Sequence, residues 1–553
     1  MRRYTPFLFP LLLLAACDPR DEGDRFDRLV DDIAEEERYG GTAIVAQIGD
    51  IPDINPLTST DLTASQVQRF VLFTPLVTYD ENLEPVPMMA RSWELNEDTT
   101  AITFHLRDDV YWHDGELTTA YDWEYTWEMA TTPETGYPNT AFFVHYGEAE
   151  AIDSFTFRVE MEPHADYMDT WWNLFPVPRH ILEGTAPAQI RTHPYSTRTP
   201  VGNGPFRFVE RRDGQSWTFA ANEDHPEELG GRPYLDRIVY RVIPEQTTIL
   251  TELLTGNIDY FVAPAAEFAQ QIENSGNARL QSHVSRNFDL IAWNQRREPF
   301  DDVRVRRALT MALNRSQIID AVYYGYGEVA NHSVPPFHWA HAGDVDAGLE
   351  FDLEGARALL AEAGWEDRQG DGLLRNEAGE PFRFTLKTNE GNAIRRDILV
   401  IAQANLRRLG IDVRTQILEW GALLDQINTP ARRDFDGVLI GWSTEFRIDD
   451  RDLFHCDKID TPYQWAGHCD PELDRLLDTL PRIVDRDEAT SVWRSYQERV
   501  AETQPFTFIS FPERLEGIGN RLLNIDPDVR GDWVGARDWF LHPDLRRERR
   551  RGG

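Results

Sequence analysis

At 553 residues and a formal net charge of −38, the chain is too long for one hydrophobic core and too acidic to hold nucleic acid, whose phosphates it would repel. Two or three structural units are expected. Past the N-terminal apolar run, no stretch approaches the ~20 apolar residues of a bilayer-spanning helix, so the body is expected to be soluble. The acidity permits a cationic ligand and is equally compatible with simple surface solvation.

Arg2 and Arg3 precede a short apolar run from Phe7 to Leu14, broken only by Pro10, and small residues then lead to a cysteine in Leu14-Ala15-Ala16-Cys17. Such a run reads as a secretion signal, not a span. The four residues resemble the lipobox of bacterial lipoproteins, which implies cleavage before Cys17 and a lipid on its sulfur. A plain secretory signal is the other reading, and the paired arginines lack the rest of a twin-arginine motif. The lipobox reading places the mature chain in the cell envelope, lipid-anchored on the periplasmic or extracellular face of a membrane. Residues 18–41 are dense in charge and read as an acidic tether, with a helical turn or two around Phe26 to Ile33.

From Thr42 the pattern changes to short alternating strands: Ala43 to Ala46, Phe73 to Val77, Ile102 to Leu106 and Phe155 to Val159, with an interspersed helix from Ala120 to Met129. Trp112-His113-Asp114-Gly115 places a His beside an Asp, but neighbours on a strand face opposite ways, so a turn is expected there rather than a catalytic pair. Asp367 to Gly372 lacks the full calcium-loop pattern and reads as a hairpin turn.

The second half alternates elements. Phe382, Phe384 and Leu386 mark a strand; Ile394, Ile398, Ile401, Ala402 and Leu409 mark a helix stopped by Gly410; Ile411, Val413 and Ile417 mark a second strand. A short helix from Trp420 to Ile427 precedes the apolar run Val438-Leu439-Ile440. Strand, helix, strand, helix, strand of these lengths implies parallel crossovers in an α/β lobe. Ligands collect beyond the carboxyl ends of such strands, which directs attention to Gly441-Trp442-Ser443-Thr444-Glu445. That segment offers an aromatic face and a carboxylate; a surface loop whose Trp442 caps the core is the alternative. Cys456 and Cys469 suit a disulfide in an exported chain. His455 and His468, each just before a cysteine, leave a zinc set as the weaker alternative. The C-terminal cluster from Arg546 to Arg551 reads as a frayed basic tail, with contact to anionic headgroups as a minor option.

Several blocks in order resemble the substrate-binding proteins of ABC importers, in their dipeptide-, oligopeptide- and nickel-binding class. They include Gly49 to Pro56, Phe73 to Asp80, Met89 to Trp93, Thr103 to Asp122, Val201 to Phe206, Leu253 to Asp259 and Trp293 to Ile319. Further on come Asp352 to Gly364, Asn405 to Val413, Phe435 to Trp442 and Pro505 to Phe511. The resemblance implies a two-lobed, class II periplasmic-binding-protein-like α/β fold, with mixed sheets, flanking helices and a hinge. The implied division is a signal at 1–17, a tether at 18–41, a first lobe at 42–292 holding an extra subdomain near 58–195, a second lobe at 293–508, a return to the first lobe at 509–545 and a tail at 546–553. The chain would cross near Trp293-Asn294 and return near Phe508 to Phe511.

In site terms, the family's cleft aspartate, which takes a peptide's amino group, falls at Glu445, one methylene longer. Trp442 would wall the ligand, and the loop of Asp50, Ile51 and Asp53 would pair with peptide backbone as an added strand. Where oligopeptide binders carry an arginine this chain has Leu439. Where dipeptide binders place one for the ligand carboxylate, it reads Thr388-Asn389-Glu390. Arg395 and Arg396 lie further on and could substitute only by a local shift. Longer peptides, or a cationic non-peptide solute, therefore fit better than strict dipeptides. A non-enzymatic, monomeric receptor is implied, with no cofactor or metal. Its partners would be a peptide or other small solute, the permease with its ATPase subunits, and a membrane reached through lipid. No GxxxxGK[ST] loop occurs, so the ATPase must be another chain. Two rivals remain: a secreted carbohydrate-active enzyme, which the abundant Trp, Tyr and acidic residues could serve, and a sensory receptor using the same cleft without import.

Overall fold

The structure, a computed structural model, describes residues 28–345 and 348–546. Cys17, the rest of the signal, tether residues 18–27 and tail residues 547–553 lie outside the described residues. Among the described residues no helix is long and apolar enough to cross a membrane.

The body is a mixed α/β fold of two lobes sharing one 12-stranded sheet path. In one lobe Thr42–Gln47 lies parallel to Arg237–Val242 and Tyr260–Val262, with Ser216–Ala221 and Phe206–Arg212 continuing antiparallel at the edge. In the other, Arg383–Asn389 lies parallel to both Asp412–Leu418 and Gly437–Ser443, as the crossover pattern predicts, and Asn287–Trp293 pairs antiparallel with Gly437–Ser443. A long strand, Phe506–Gly519, joins the lobes: its first part pairs with Asn287–Trp293 and its second with Ala278–Val284. Between those partners the Ser285 N–H donates to the Pro512 carbonyl at 3.0 Å.

Apolar pattern explains the layering. Val438, Leu439 and Ile440 are all buried because helices cover both faces of their sheet: Leu439 joins one core, Val438 and Ile440 the other. The helix Ala393–Arg408 is capped by the Asn392 side chain, carries Arg407 and Arg408 in its last turn, and buries Ile398, Leu399, Ala402 and Leu406. Within the first half, Ala90–Leu95, Ala101–Leu106, Thr156–Met161 and Tyr146–Asp153 form a separate antiparallel four-stranded sheet. Against it packs the helix Ala120–Thr131, with Trp123, Trp127 and Trp171 in the core.

The expected strand from Phe73 to Val77 needs correction. Gln68–Leu72 is a π-helical turn and pairing begins only at Val77–Tyr79. The backbone in between is engaged by the Val201-to-Phe206 loop instead: Leu72 O accepts from Asn203 N (3.0 Å) and Gly204 N (2.9 Å), and Thr74 N donates to Asn203 Oδ1 (2.8 Å). A Cβ on Gly202 would lie 1.9 Å from Leu72 O, so this close approach requires glycine.

The turns behave as expected. Asp367 accepts from the backbone N–H groups of Gly370 and Gly372 at 2.8 and 2.9 Å, while Asp371 pairs with Arg375 at 2.7 Å. His113 bonds to the Gly202–Gly204 loop, and Asp114 faces His180 at 2.8 Å. Arg546, placed in the tail from sequence, is not frayed: its guanidinium donates to Tyr39 O at 2.6 Å and to Leu541 O at 3.2 Å.

Cys456 and Cys469 are joined in a disulfide, so the zinc alternative loses its sulfur ligands. His468 instead faces Gln295 at 3.0 Å, and His455 accepts from Asp457 N at 3.1 Å. Closing a loop of 13 residues is worth about 3 kcal/mol in the chain-entropy account. Urea unfolding with and without reductant is expected to differ by about that amount, and superimposable curves would contradict it.

Candidate functional site

The carboxyl ends of Arg383–Asn389, Asp412–Leu418 and Gly437–Ser443 converge on a cavity of about 550 Å³. The opposite lobe closes it with Ala263 to Ala266 and with Pro512 to Leu515 of the joining strand. Its volume lies inside the roughly 300–1,000 Å³ range of small-ligand sites. Tyr323, Tyr326, Trp420 and Trp442 give it flat apolar walls. Trp420 is well exposed, whereas Trp442 is braced edge-on by Tyr463 and Trp465 with ring centroids 5.6 Å away.

Asp289, Arg395, Glu513 and Arg514 are the charged residues lining this cavity, and of these Arg395 has a buried donor left open. It stands in the first turn of Ala393–Arg408, and its Nη1 donates to Asn389 Oδ1 at 2.9 Å. Its buried Nε has no partner, and it makes no ion pair among the described residues. Burial pushes the guanidinium below its ordinary value, and the nearby Asp289 works against that shift. Gly441 makes room for it, since a Cβ there would meet Arg395 Nη2 at 2.9 Å and Asp289 Oδ1 at 3.3 Å. Asp289 is already engaged: Tyr323 donates its hydroxyl proton to it, and Ser510 does so at 3.2 Å. Burial nevertheless raises the Asp289 carboxyl. On the far wall Arg514 is held by Asp532 at 2.6 and 2.7 Å and by Glu516 at 3.2 Å.

The residues singled out from sequence separate into three groups. Trp442 lines the cavity. Asn389 does not; it is buried at its strand end and holds Arg395. Glu445 lies just past the cavity wall, half exposed and paired with Arg286 at 2.9 Å. Asp50 is occupied within its own lobe by Arg211 (3.0 Å), Trp217 Nε1 (2.9 Å) and Gly214 N (3.0 Å), which hold its carboxyl below the usual range against the opposing effect of burial. Ile51 is fully buried, and Asp53 closes a turn on Asn55 N (2.9 Å) and Thr58 Oγ1 (2.6 Å). Leu439 is core.

Sequence reasoning demoted Arg395 and passed over Trp420, Tyr323 and Tyr326. One signal was available. Cations are unfavourable in the first turn of a helix, where the dipole is positive, so Arg395 is misplaced for helix stability and invites a ligand explanation. Ile394, counted from periodicity as core, is 41% exposed and lines the cavity.

Away from the joining strand the two halves of the chain also meet directly. Arg486 pairs with Glu84 at 2.6 Å, Ala165 N donates to Pro481 O at 2.8 Å, and Phe446 packs against Tyr79 and Trp172 with centroids 5.6 and 6.2 Å apart.

Two lobes linked through a shared strand, with an aromatic cavity walled by both, define a solute-binding protein. Residues 84–455 match the family described as bacterial extracellular solute-binding proteins, family 5 Middle, and the chain belongs to that family. It is 32% identical over 515 residues to the oligopeptide-binding protein AppA of Bacillus subtilis, covering 92% of this chain and 93% of that one. It is 25% identical over 495 residues to a dipeptide-binding protein of Pseudomonas aeruginosa, covering 82% and 86%. The structure of the Bacillus subtilis AppA in complex with a nonapeptide superimposes with a TM-score of 0.72 at 31% identity, covering 91% of this chain and 99% of that one. These relatives are substrate-binding proteins rather than enzymes.

Proposed function

We propose that this chain is a lipid-anchored, non-catalytic receptor that captures oligopeptides and delivers them to an ABC importer. The observation that carries the reading is Arg395: a cavity guanidinium with a bare N–H and no ion pair, among four aromatic walls. A ligand carboxylate or backbone carbonyl answers the guanidinium, and aromatic faces accept side chains of varied shape. The likeness to AppA over nearly the whole chain supports a peptide as that ligand.

The lobes comprise residues 42–292 with 509–545, and 293–508, except that the whole strand Asn287–Trp293 pairs within the second lobe, so the chain crosses just after Val284. They close about the joining strand, which excludes water and strengthens charge-assisted bonds, and the permease reads the closed form. Lipid on Cys17 keeps the receptor near that permease and raises its effective concentration. Glu445 takes a cationic group of the peptide. Glu445→Gln is therefore expected to weaken an amine-bearing peptide by at least about tenfold, the low end of a charge-assisted bond, while thermal unfolding stays unchanged. Calorimetric titration with peptides of three to nine residues tests the reading as a whole: heat of binding without product formation supports it. Product formation, or binding of oligosaccharides in place of peptides, would overturn it.

A further inference from the structure

The loop closed by Cys456 and Cys469 has no helix or strand after Lys458, yet five of its carbonyls are held by two arginines. Arg296 donates to Ile459 O (2.6 Å), Gln464 O (3.2 Å) and Trp465 O (3.0 Å). Arg433 donates to Ile459 O and Gln464 O (both 3.1 Å), Thr461 O (2.7 Å) and Pro462 O (3.3 Å). Neither guanidinium forms an ion pair among the described residues. Burial pushes Arg433 down to about 10, and the Arg296 charge beside it adds to the fall. Gly467 is required where it stands, at φ +70°, because a Cβ there would meet Arg296 Nη1 at 2.6 Å. Two like charges brought together and partly desolvated oppose stability. What they achieve is a fixed course for one loop.

That loop reaches two walls of the cavity. Tyr463 and Trp465 stand edge-on to Trp442 at 67° and 80°, with centroids 5.6 Å away. Trp465 Nε1 also donates to Asn428 Oδ1 at 2.8 Å, and Arg433 Nε donates to Ile427 O at 2.9 Å. Ile427 and Asn428 end the helix Trp420–Asn428, whose first residue is the cavity wall Trp420. Tyr463 itself is 43% exposed and is not among the residues that line the cavity.

We propose that the disulfide-closed loop is a brace that sets the Trp442 and Trp420 walls for the ligand, with Tyr463 and Trp465 as positioning residues for binding. This deepens the peptide reading above and rests on it for the ligand. A tryptophan at a strand end has several rotamers open to it, and fixing one on binding subtracts from affinity. Rings packed edge-on against Trp442 select its rotamer beforehand, so the wall is ordered before the ligand arrives. The disulfide holds both ends of the loop that carries those rings.

Two measurements on the whole protein test this, with Tyr463→Ala, Tyr463→Phe, Trp442→Ala and the double variant Cys456→Ser with Cys469→Ser. Hydroxyl-radical labelling of Trp442, read by tandem mass spectrometry, needs no ligand. At least about twofold more label is expected on Trp442 in Tyr463→Ala and in the double variant, and the wild-type level in Tyr463→Phe. The double variant keeps both rings, so a rise there reports the loop and not missing atoms. Tyr463→Ala, at an exposed position, keeps the test decisive if the double variant does not fold.

The second measurement is calorimetry with a hexapeptide of alternating alanine and phenylalanine. Affinity is expected to fall about fivefold or more in Tyr463→Ala and in the double variant, the loss of one pre-ordered side chain. Tyr463→Phe is expected to bind as wild type does, and adding Tyr463→Ala to Trp442→Ala to cost nothing further. General destabilisation would instead weaken both backgrounds alike. Wild-type labelling and affinity in Tyr463→Ala, or equal losses from it in both backgrounds, would overturn this inference and leave the peptide reading standing. If wild type binds no peptide, the peptide reading falls and labelling decides the brace: raised label upholds it, wild-type label overturns it.

Discussion

Arg395→Gln is expected to weaken peptide binding by about thirtyfold or more without unfolding the protein. Truncating one partner of a buried charged hydrogen bond costs about 2–5 kcal/mol, or some thirtyfold to several thousandfold in affinity. Arg395 meets the conditions for the upper part of that range. It is partly desolvated, oriented by Asn389 at 2.9 Å, and free of a competing ion pair among the described residues. The fold should tolerate the change, because a cation in the first turn opposes the helix dipole and the Asn392 cap, which accepts from the Arg395 N–H at 2.9 Å, is retained. Titration calorimetry beside a thermal melt checks both halves. Affinity within threefold of wild type would remove Arg395 from the site.

The largest stability effect is expected at Arg306. Its side chain is 4% exposed and pairs with no carboxylate among the described residues; it donates to Phe300 O (2.9 Å), Asp301 O (3.1 Å), Thr503 O (2.7 Å) and Gln504 O (2.9 Å). Two of those carbonyls close the long helix Arg486–Thr503, whose cap residue Gln504 sits at φ 46°, just before the strand that joins the lobes. The guanidinium thus does the work of a C-cap for one helix and ties it to the entry of Val303–Met311. Burial lowers its pKa to about 10, so it stays charged at neutral pH. Arg306→Leu would leave four carbonyls without their donor. At about 1–3 kcal/mol for each truly buried group, and with partial rescue by water, a loss of about 3–5 kcal/mol is expected. Urea unfolding measures it, and a change below about 1 kcal/mol would show that these carbonyls find other donors.

Much of the fold was legible because it follows from periodicity. The strand–helix–strand order of the second lobe could be read from apolar spacing and from Gly410, since a covered parallel sheet demands both. The strand expected from Phe73 to Val77 failed for a non-local reason: its backbone bonds go to Asn203 and Gly204, far along the chain. Apolar letters cannot reveal that.

The site was less legible. Trp442 was readable because it sits at the carboxyl end of an apolar strand. Asp50 was misjudged because its partners Arg211, Gly214 and Trp217 are distant in sequence, and a carboxylate already bound by three donors looks the same in a string of letters as a free one.

The most direct measurement is tandem mass spectrometry of the solute released when the purified protein is denatured. The account predicts peptides several residues long and mixed in sequence, retained by the wild-type protein and depleted in Arg395→Gln. A single non-peptide solute, such as a sugar or a metal chelate, equally retained by both proteins, would contradict it.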